Sequence, residues 1–392
     1  ASFQYFFRRE TFVGASKSFG VGLMETPVGS ERKVIITGGG TGGHVFPGIA
    51  VARELMKRSK AEVLFVGKKS GLEAKWVSDA GLKFKGIRAS GFPRSFSLRL
   101  LTFWFDLGAG LMEAGRLIDE FKPSVVFSTG GYVSVPVSLV AALRGVPVAL
   151  LEPNVAPGLA AKFLALFAKK VFVGFEQTTP SFSKGRTQWT GIPVREEIIT
   201  ADKSESLKSF KLEPGATTVL MLGGSQGAHV LNQYMIDAIE QLGQGYHRVQ
   251  IIMMTGWNDY QTIVDRLEKC PLKVVLRPFI GNIHEAYAAA DLVVARSGAM
   301  TCAEILSRGL PAVFIPYPHA SGHQEMNARA LEKAGSAVVI TEKQLENEKL
   351  IQTLDGFLAN PDQMKTMGAK ARELARPEAS ARIVETLLGM VA

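Results

Sequence analysis

The sequence contains the same unit twice: an apolar strand, a glycine-rich loop and an amphipathic helix. Residues 33–37 run into the glycines at 38–43 and a helical pattern at 46–58. Residues 217–222 run in the same way into the glycines at 223–227 and a helical pattern at 228–242. Glycines let backbone N–H groups approach a ligand closely, and the start of the following helix favours anionic groups. The repetition predicts two related domains, each with a site for an anionic ligand at its first loop.

Further apolar runs alternate with helical patterns through both halves of the chain. They are residues 62–66, 124–128, 146–151 and 170–175, followed by 249–254, 274–276, 292–295, 312–315 and 337–340. Strands that are continuous in Val, Ile and Leu and are separated by helices are typical of parallel sheets covered on both faces. The pattern predicts an α/β protein with two doubly wound, Rossmann-like domains that face a cleft.

The length of 392 residues also favours two domains. The turn-rich segment 190–197 is the predicted hinge, which places the domains at 33–194 and 195–392. The final helix of the chain is a candidate to pack back on the first domain. Residues 1–32 have no convincing period, and we assign this N-terminal extension no function; Met24 is a candidate original start.

Composition limits the classes of protein. Apolar residues make up 46% and charged residues 21%, which excludes a disordered chain. No apolar run reaches the ~18 to 20 residues that span a bilayer, and no signal peptide is evident, so we expect a cytosolic protein. Cys270 and Cys302 lack the spacing of a disulfide framework or a thiolate metal site. The net charge of +9 predicts an acidic partner, and without nucleic-acid-binding motifs we expect no nucleic acid.

Gly38, Gly40 and Gly43 match the G-x-G-x-x-G loop of dinucleotide-binding proteins, after a strand and before a helix. A nicotinamide site with NAD needs an acidic residue at the end of the next strand, where this chain has Lys68 and Lys69. These lysines would suit the phosphate of NADP, so an NADP-binding oxidoreductase stays open. In the alternative interpretation, the two glycine loops face each other and hold a nucleoside diphosphate sugar and its acceptor.

Two side chains near the predicted loops are candidates for chemistry. His44 projects from the start of the first helix and, with an ordinary pKa near ~6.5, is suited to take a proton from a sugar hydroxyl. Its structural alternative is a helix-start residue that only caps or packs. Glu304 falls in the first turns of the helix after residues 292–295, where a carboxylate either complements the helix dipole or accepts hydrogen bonds from ribose hydroxyls.

Six segments together resemble the signature of one family. They are GGGTGGHVFP (38–47), GGYVSVP (130–136), TGIPVR (190–195), GGSQGAHVLN (223–232), RSGAMTCAE (296–304) and HQEMNA (323–328). In this order and spacing they resemble the MurG family of peptidoglycan N-acetylglucosaminyltransferases. The resemblance runs from about residue 33 to the C-terminus. It implies a GT-B fold and an inverting, β-1,4-forming transfer of N-acetylglucosamine from UDP-N-acetylglucosamine to lipid I, which gives lipid II.

The resemblance also implies roles for individual residues. The donor-binding set would be Arg195, Ser225, Gln226, Gly227, Phe279, Ile280, Ala299, Met300, Thr301, Glu304, Gln324 and Asn327. In this set Arg195 and residues 225–227 would meet the diphosphate, together with the amides of 299–301. Residues 279–280 would meet the uracil, Glu304 the ribose, and Gln324 with Asn327 the sugar hydroxyls. The acceptor would lie against Thr41, Gly42, Gly43, His44 and Tyr132.

The chain departs from the family pattern beside the predicted acceptor site. The family usually has His-Glu-Gln-Asn where this chain has Leu151, Glu152, Pro153 and Asn154, and often Thr-Asn at 160–161, where this chain has two alanines. Glu152 and Asn154 keep their places and are predicted as a second candidate base and a substrate-binding residue. The lost polar groups put the acceptor side in doubt.

The chain has no D-x-D element, and the resemblance implies no metal or other cofactor. His319 and His323 have the spacing of a zinc pair, but no third ligand is evident, so we expect no metal site.

The implied partners are UDP-N-acetylglucosamine, an undecaprenyl-linked lipid acceptor and an anionic membrane surface, which the protein would bind peripherally from its cytoplasmic side. Apolar side chains with basic neighbours are the predicted membrane contact: Phe92, Phe96, Leu98, Leu100, Leu101, Phe103, Trp104 and Phe105 with Lys83, Lys85, Arg88, Arg94 and Arg99. The other interpretation is that half of these aromatics lie in the core. Another UDP-sugar-dependent lipid glycosyltransferase and a non-catalytic membrane scaffold stay open as functions.

Overall fold

The computed structural model describes residues 32–91, 99–223, 229–318, 322–345 and 348–391, with side chains from 102 onward in the second range. The N-terminal extension predicted at 1–32 therefore lies outside the described residues except for Arg32. Within the described residues the chain forms two parallel sheets, each flanked by helices. We call the first sheet with the helices around it the first lobe, and the second sheet with its helices the second lobe.

The sheet of the first lobe has seven strands among the described residues. They are β1 (Lys33–Gly38), β2 (Glu62–Lys68), β3 (Lys83–Ile87), β4 (Val125–Gly130), β5 (Val148–Glu152), β6 (Lys170–Val173) and β7 (Thr187–Trp189). Their order across the sheet is β3-β2-β1-β4-β5-β6-β7, and every neighbouring pair is parallel. The order reverses direction between β1 and β4, which is where open parallel sheets bind ligands at the carboxyl ends of their strands.

Helices connect these strands. They are α1 (Gly42–Arg58), α2 (Glu73–Asp79), α3 (Arg99–Phe121), α4 (Ser134–Leu143) and α5 (Leu159–Leu164), with a 3₁₀ helix at Glu176–Ser181. Apolar positions of α1 pack on one face of the sheet, and α3 and α4 cover the other. Because both faces are covered, the central strands are buried and mostly apolar, as the sequence predicts.

The second lobe repeats this arrangement with six strands among the described residues. They are β8 (Thr217–Leu222), β9 (Val249–Met254), β10 (Lys273–Arg277), β11 (Leu292–Ala295), β12 (Ala312–Phe314) and β13 (Ala337–Val339), in the order β10-β9-β8-β11-β12-β13. The helices are α6 (Glu196–Thr200), α7 (Lys203–Ser209), α8 (His229–Leu242), α9 (Tyr260–Leu267), α10 (Ile283–Ala289), α11 (Ala299–Arg308), α12 (His323–Lys333), α13 (Glu342–Leu345), α14 (Lys349–Ala359), α15 (Pro361–Leu374) and α16 (Ala379–Gly389). Here the order reverses between β8 and β11. The predicted α/β class with two doubly wound sheets is confirmed.

Two strands were not predicted, and both are edge strands of the first sheet. In β3 lysines alternate with apolar residues, and β7 is only three residues long and half-buried. A strand at the edge of a sheet is covered less completely than a central one, so it does not need the continuous apolar run on which the prediction rests.

The last helix lies against the first lobe. Ile383, Val384 and Leu387 of α16 are buried with residues of β1 and with Phe172 of β6. The chain therefore returns to the first sheet after completing the second. The domain boundary at Val194 and Arg195 stays a prediction. In the described ranges, no helix is both long enough and apolar enough to cross a bilayer.

Candidate active site

The first glycine loop lies at the reversal of strand order in the first sheet. β1 ends at Gly38, and α1 starts at Gly42 after Thr41, whose extended backbone (φ −149°, ψ 159°) directs the chain into the helix. The first N–H groups of a helix have no partner within it, and they carry its positive dipole end. The predicted acceptor residues Thr41, Gly42 and Gly43 therefore lie at an anion-favouring helix start.

His44 occupies the first turn of α1 and is held in one orientation. Its Nδ1 lies 2.8 Å from the carbonyl oxygen of Thr129, the last residue but one of β4, which pairs with β1. Because a carbonyl oxygen only accepts, Nδ1 donates and the neutral ring carries its lone pair on Nε2. Burial lowers the pKa of His44 below its ordinary value of 6.5, against smaller opposing effects from Thr129 and Glu152. The ring is thus neutral at pH 7, with a basic nitrogen available.

Glycines make room for this imidazole. Gly130 and Gly131 have φ values of +93° and +80°, which side chains of L-residues rarely adopt. A Cβ at either position would also lie 3.2 Å from ring atoms of His44. Tyr132, which follows, lies over Gly40 of the first loop. The two glycines therefore pack directly against His44, and Tyr132 packs against the first glycine loop.

Glu73 is a buried carboxylate at this site that the sequence did not single out. Its Oε1 accepts a hydrogen bond from the N–H of Gly40 at 2.7 Å, and the residue is 3% exposed. A Cβ on Gly39 would lie 2.3 Å from the same oxygen. Glu73 therefore fixes the shape of the glycine loop from behind, and the glycine at 39 is needed for this contact.

We expect Glu73→Ala to lower the free energy of unfolding by about 1–3 kcal/mol, because it removes a buried side chain and the carboxylate that accepts from the N–H of Gly40. Urea unfolding followed by circular dichroism measures this change. Glu73→Gln is the matched control, since its amide oxygen still accepts the hydrogen bond, and it should lose less than half as much. Equal stability of Glu73→Ala and the unmodified chain would contradict the role of Glu73.

Glu152 lies at the end of β5, near enough to His44 to affect its titration. Its Oε1 accepts from the backbone N–H and the side-chain amide of Asn154 at 2.8 and 3.0 Å. Its Oε2 accepts from the N–H of Gly158 at 3.0 Å. These three hydrogen bonds engage both carboxylate oxygens and hold the 152–158 turn. This geometry favours His44 over Glu152 as the base.

In the second lobe α11 begins at the carboxyl end of β11, beside the reversal of strand order. Cys302 N donates to the carbonyl oxygen of Gly298 at 2.9 Å, so the amides of residues 299–301 precede the first such bond of the helix. Ala299 and Met300 are buried, and Thr301 is half-buried. The three predicted residues therefore form the N-terminal turn of a ten-residue helix.

Arg195 links the two lobes at this place. Its guanidinium carbon lies 4.4 Å from the ring centroid of Phe46 in α1, and its Nη2 lies 3.5 Å from Oε1 of Glu304 in α11. Tyr287 donates to Oε2 of Glu304 at 3.0 Å. Burial raises the pKa of Glu304, while Arg195 and Tyr287 oppose this effect. Phe46 and Tyr287 are further residues that the sequence did not single out.

Other predicted donor residues lie at the same edge of the second sheet. Phe279 is 46% exposed after β10, so it is not a core residue, and Ile280 beside it is buried. Oε1 of Gln324 accepts from the N–H of Tyr317 at 2.9 Å. Ser225, Gln226 and Gly227 lie outside the described residues, as does His319 of the histidine pair.

Asn327 joins the lobes instead of facing an open cleft. It is fully buried, and its Oδ1 accepts from the N–H of Val155 at 3.0 Å. Its Nδ2 donates to Oδ1 of Asn154 at 3.1 Å and to the carbonyl oxygen of Ser297 at 3.2 Å. The structure thus brings Asn154 and Asn327 together as a pair across the lobes.

The departures from the family pattern affect the core more than the site. Leu151 is fully buried in β5 and packs in the same apolar cluster as Phe172 and Ile383. Pro153 and Ala161 are also buried. The side chain at 151 is therefore part of the apolar core.

Comparisons with known proteins agree with this geometry. Residues 34–173 match the model of the glycosyltransferase family 28 N-terminal domain, and residues 218–383 match that of its C-terminal domain. A protein of Desulforamulus reducens named UDP-N-acetylglucosamine–N-acetylmuramyl-(pentapeptide) pyrophosphoryl-undecaprenol N-acetylglucosamine transferase is 42% identical over 362 residues. The match covers 90% of this chain and 97% of the relative. A protein of the same name from Listeria welshimeri is 39% identical over 92% of this chain and 99% of its own length.

Among solved structures, Acinetobacter baumannii MurG superposes with a TM-score of 0.72 at 29% identity, covering 91% of this chain and 99% of that one. This chain belongs to the MurG family. The resemblance predicted from six sequence segments is confirmed, and so is the GT-B fold. A MurG-family chain is a glycosyltransferase, which removes the oxidoreductase interpretation of the first glycine loop.

The same fold occurs beyond the MurG family. The UDP-GlcNAc 2-epimerase of Neisseria meningitidis, solved with UDP-GlcNAc bound, superposes with a TM-score of 0.66 at 15% identity over 91% of this chain and all of that one. This likeness shows the fold alone.

Proposed function

We propose that this protein transfers N-acetylglucosamine from UDP-N-acetylglucosamine to lipid I and forms lipid II, as the names of its relatives describe for them. The observation that carries the proposal is the His44 imidazole, whose Nδ1 is bound to Thr129 and whose Nε2 is left basic at the acceptor loop. The family gives the reaction class, and this geometry supports His44 as the base that the proposed reaction needs.

In the proposed reaction a hydroxyl oxygen of the acceptor sugar attacks the anomeric carbon of N-acetylglucosamine. The bond between that carbon and the diphosphate oxygen breaks, and the hydroxyl proton passes to Nε2 of His44. A single displacement of this kind inverts the anomeric centre. General base catalysis by a positioned imidazole contributes about 10²- to 10⁴-fold to such a step.

The departing UDP carries the developing negative charge. We propose that the amides of residues 299–301 and the guanidinium of Arg195 stabilise it, together with Ser225, Gln226 and Gly227. Preorganised donors of this kind contribute several kcal/mol each in other enzymes, about 10²- to 10³-fold in rate. We expect these groups to carry the charge without a metal or other cofactor, so transfer should continue in excess EDTA.

The remaining contacts of the donor are assigned by position. Phe279 and Ile280 are proposed to meet the uracil, Glu304 the ribose, and Gln324 the sugar hydroxyls. Asn327 can contact the sugar hydroxyls only if its hydrogen bonds to Asn154 and Val155 break. On the acceptor side we propose contacts to Thr41, Gly42, Gly43, Tyr132 and Asn154.

We also propose that α3 brings the protein to the cytoplasmic face of an anionic membrane, where the lipid acceptor is embedded. Trp104 and Phe105 are 59% and 67% exposed on this helix, and Met112 is exposed as well. The Arg88 guanidinium lies 5.8 Å from the ring of Phe105. Exposed aromatics beside a basic group suit the interface of an anionic bilayer. Phe92, Arg94, Phe96 and Leu98 of the predicted contact lie outside the described residues, and nothing is described of the side chains of Arg99, Leu100 and Leu101.

Flotation with vesicles that contain anionic lipid tests the membrane contact. The unmodified protein should float, and the pair Trp104→Ser with Phe105→Ser should float several-fold less, because two interfacial aromatics are lost. Trp257→Ser is the matched control, since Trp257 is also exposed, at 74%, but lies in the second lobe. A protein that stays unbound, or a pair of substitutions without effect, would remove this contact.

Incubation with UDP-N-acetylglucosamine and a short-chain lipid I analogue tests the reaction itself. We expect release of UDP that depends on the acceptor, and a product with a β-linked sugar by NMR. UDP release without acceptor dependence, or transfer only to an unrelated lipid, would contradict the proposed function.

A further inference from the structure

Lysine side chains lie at both ends of the strands of the first sheet, but the two ends differ in their ion pairs. At the amino-terminal ends, Lys33 and Lys83 both pair with Glu62, at 3.7 and 2.8 Å. At the carboxyl-terminal ends, Lys68 is the last residue of β2, and within the described residues it has no carboxylate at ion-pair distance. Lys68 therefore leaves a positive charge uncompensated on the side of the sheet that carries the glycine loop.

Lys68 is directed at the acceptor loop by its contact with Tyr132. Its Nζ lies 6.0 Å from the centroid of the Tyr132 ring. The other part of that ring lies over Gly40, where a Cβ would be 3.3 Å from Cε1 of the tyrosine. Lys68, Tyr132 and the glycine loop thus form one continuous surface. The side chain is half-buried, so its charge is less screened than that of a fully exposed lysine.

If an anion binds at the first glycine loop, a positive charge is needed beside that loop. Glu73 is buried behind Gly40 and presents its carboxylate to the loop N–H. A diphosphate in front of the loop would meet that negative charge as well as the start of α1. A cation beside the loop offsets the repulsion, and Lys68 is a cation that the described residues place there.

We propose that Lys68 binds the diphosphate of the lipid-linked acceptor. The inference rests on the proposed function, in which the acceptor joins its sugar to a polyprenyl chain through a diphosphate. His44 would face the sugar and Lys68 the diphosphate. Gly91, which also lies against Tyr132, leads in sequence into the segment with the proposed membrane contact.

Steady-state kinetics with Lys68→Met, Lys68→Arg and Lys60→Met test the assignment. Lys60 is the matched control because it precedes β2, whereas Lys68 ends it, and it is fully exposed. Lys68→Met should raise the KM of the acceptor about tenfold, as expected for one lost charge-assisted contact. The KM of UDP-N-acetylglucosamine should stay within about twofold, because charges of the second lobe hold the donor. Lys68→Arg should retain most of the acceptor affinity, and Lys60→Met all of it.

A second, uncharged acceptor distinguishes two possible effects of Lys68→Met: loss of a charge that binds the diphosphate, and altered packing of Tyr132. With an analogue in which a neutral linker replaces the diphosphate, Lys68→Met and the unmodified protein should have the same KM. An equal rise with both acceptors would overturn the proposal, and so would an unchanged KM with the diphosphate acceptor. If Lys68→Met does not fold, the salt dependence of the acceptor KM is measured on the unmodified protein instead. This KM should rise with salt for the diphosphate compound and not for the neutral one. Absence of transfer by the unmodified protein would instead overturn the proposed function.

Discussion

Replacing His44 with alanine should lower kcat about a thousandfold, within the range that a positioned general base contributes. The imidazole is proposed to take the proton of the attacking hydroxyl through Nε2, because Nδ1 is committed to the carbonyl oxygen of Thr129. The affinity for UDP should change little, since the proposed donor residues lie in the second lobe and in the predicted hinge. Single-turnover transfer and UDP titration measure the two quantities separately.

The pH profile gives a second test of the same residue. Burial lowers the pKa of His44 below 6.5, so the basic form dominates at neutral pH and is lost only as the pH falls through that lower value. We therefore expect kcat/KM for the acceptor to be flat near pH 7 and to decline on the acid side below pH 6.5. His247→Ala is the control, since this histidine is exposed in the second lobe. Full turnover by His44→Ala with the same acid limb would exclude His44 as the base.

Replacing Arg195 with methionine should lower kcat/KM for UDP-N-acetylglucosamine about 10²- to 10³-fold, the usual loss for one preorganised donor. The guanidinium is stacked on Phe46 and paired with Glu304, so its direction is fixed before the donor binds. Arg195→Lys should recover only a small part of the loss, because an ammonium group cannot stack and bridge as a planar guanidinium does.

Arg53→Lys is the matched control for this substitution. Arg53 also links α1 to the second lobe, through an exposed pair with Glu197 at 3.2 Å, but it lies outside the proposed donor contacts. Its kcat/KM should stay within about twofold, since exposed ion pairs contribute little. An Arg195→Met enzyme with unchanged kcat/KM for the donor would contradict the proposed role, provided that its melting temperature shows a folded protein.

Much of the fold could be predicted because burial on both faces requires apolar strands. Strands β1 and β8, with glycine loops after them, identify the two doubly wound sheets directly. The exceptions were β3 and β7, whose positions at the sheet edges remove that requirement. Their pairing depends on neighbours that are distant in sequence, and a single strand carries no sign of it.

The candidate site was predictable where a motif places its own residues and not where the fold brings distant ones together. His44 follows from the loop that contains it, whereas Glu73 reaches Gly40 across 33 positions. Phe46 lies in a predicted segment, but its contact with Arg195 depends on how the lobes meet. Apolar and carboxylate side chains of this kind resemble ordinary core and surface residues in sequence.

Motif resemblance also predicts ligand contacts for residues whose polar atoms are already hydrogen-bonded within the protein. Asn327 was predicted to read sugar hydroxyls, but it bonds to Asn154, Val155 and Ser297. Glu152 was predicted as a second base, but it accepts three hydrogen bonds within its own turn. If Asn327 contacts the sugar, its hydrogen bond to Asn154 across the lobes must therefore break when the donor binds.

A crystal structure of the complex with UDP-N-acetylglucosamine tests most directly whether the sugar nucleotide binds between the lobes. We expect the uracil beside Ile280, the ribose on Glu304 and the diphosphate at the start of α11 near Arg195. The anomeric carbon should then face Nε2 of His44. A nucleotide bound elsewhere, for example in the cavity lined by Trp189, Gly191 and Arg376, or a sugar turned away from His44, would contradict the account.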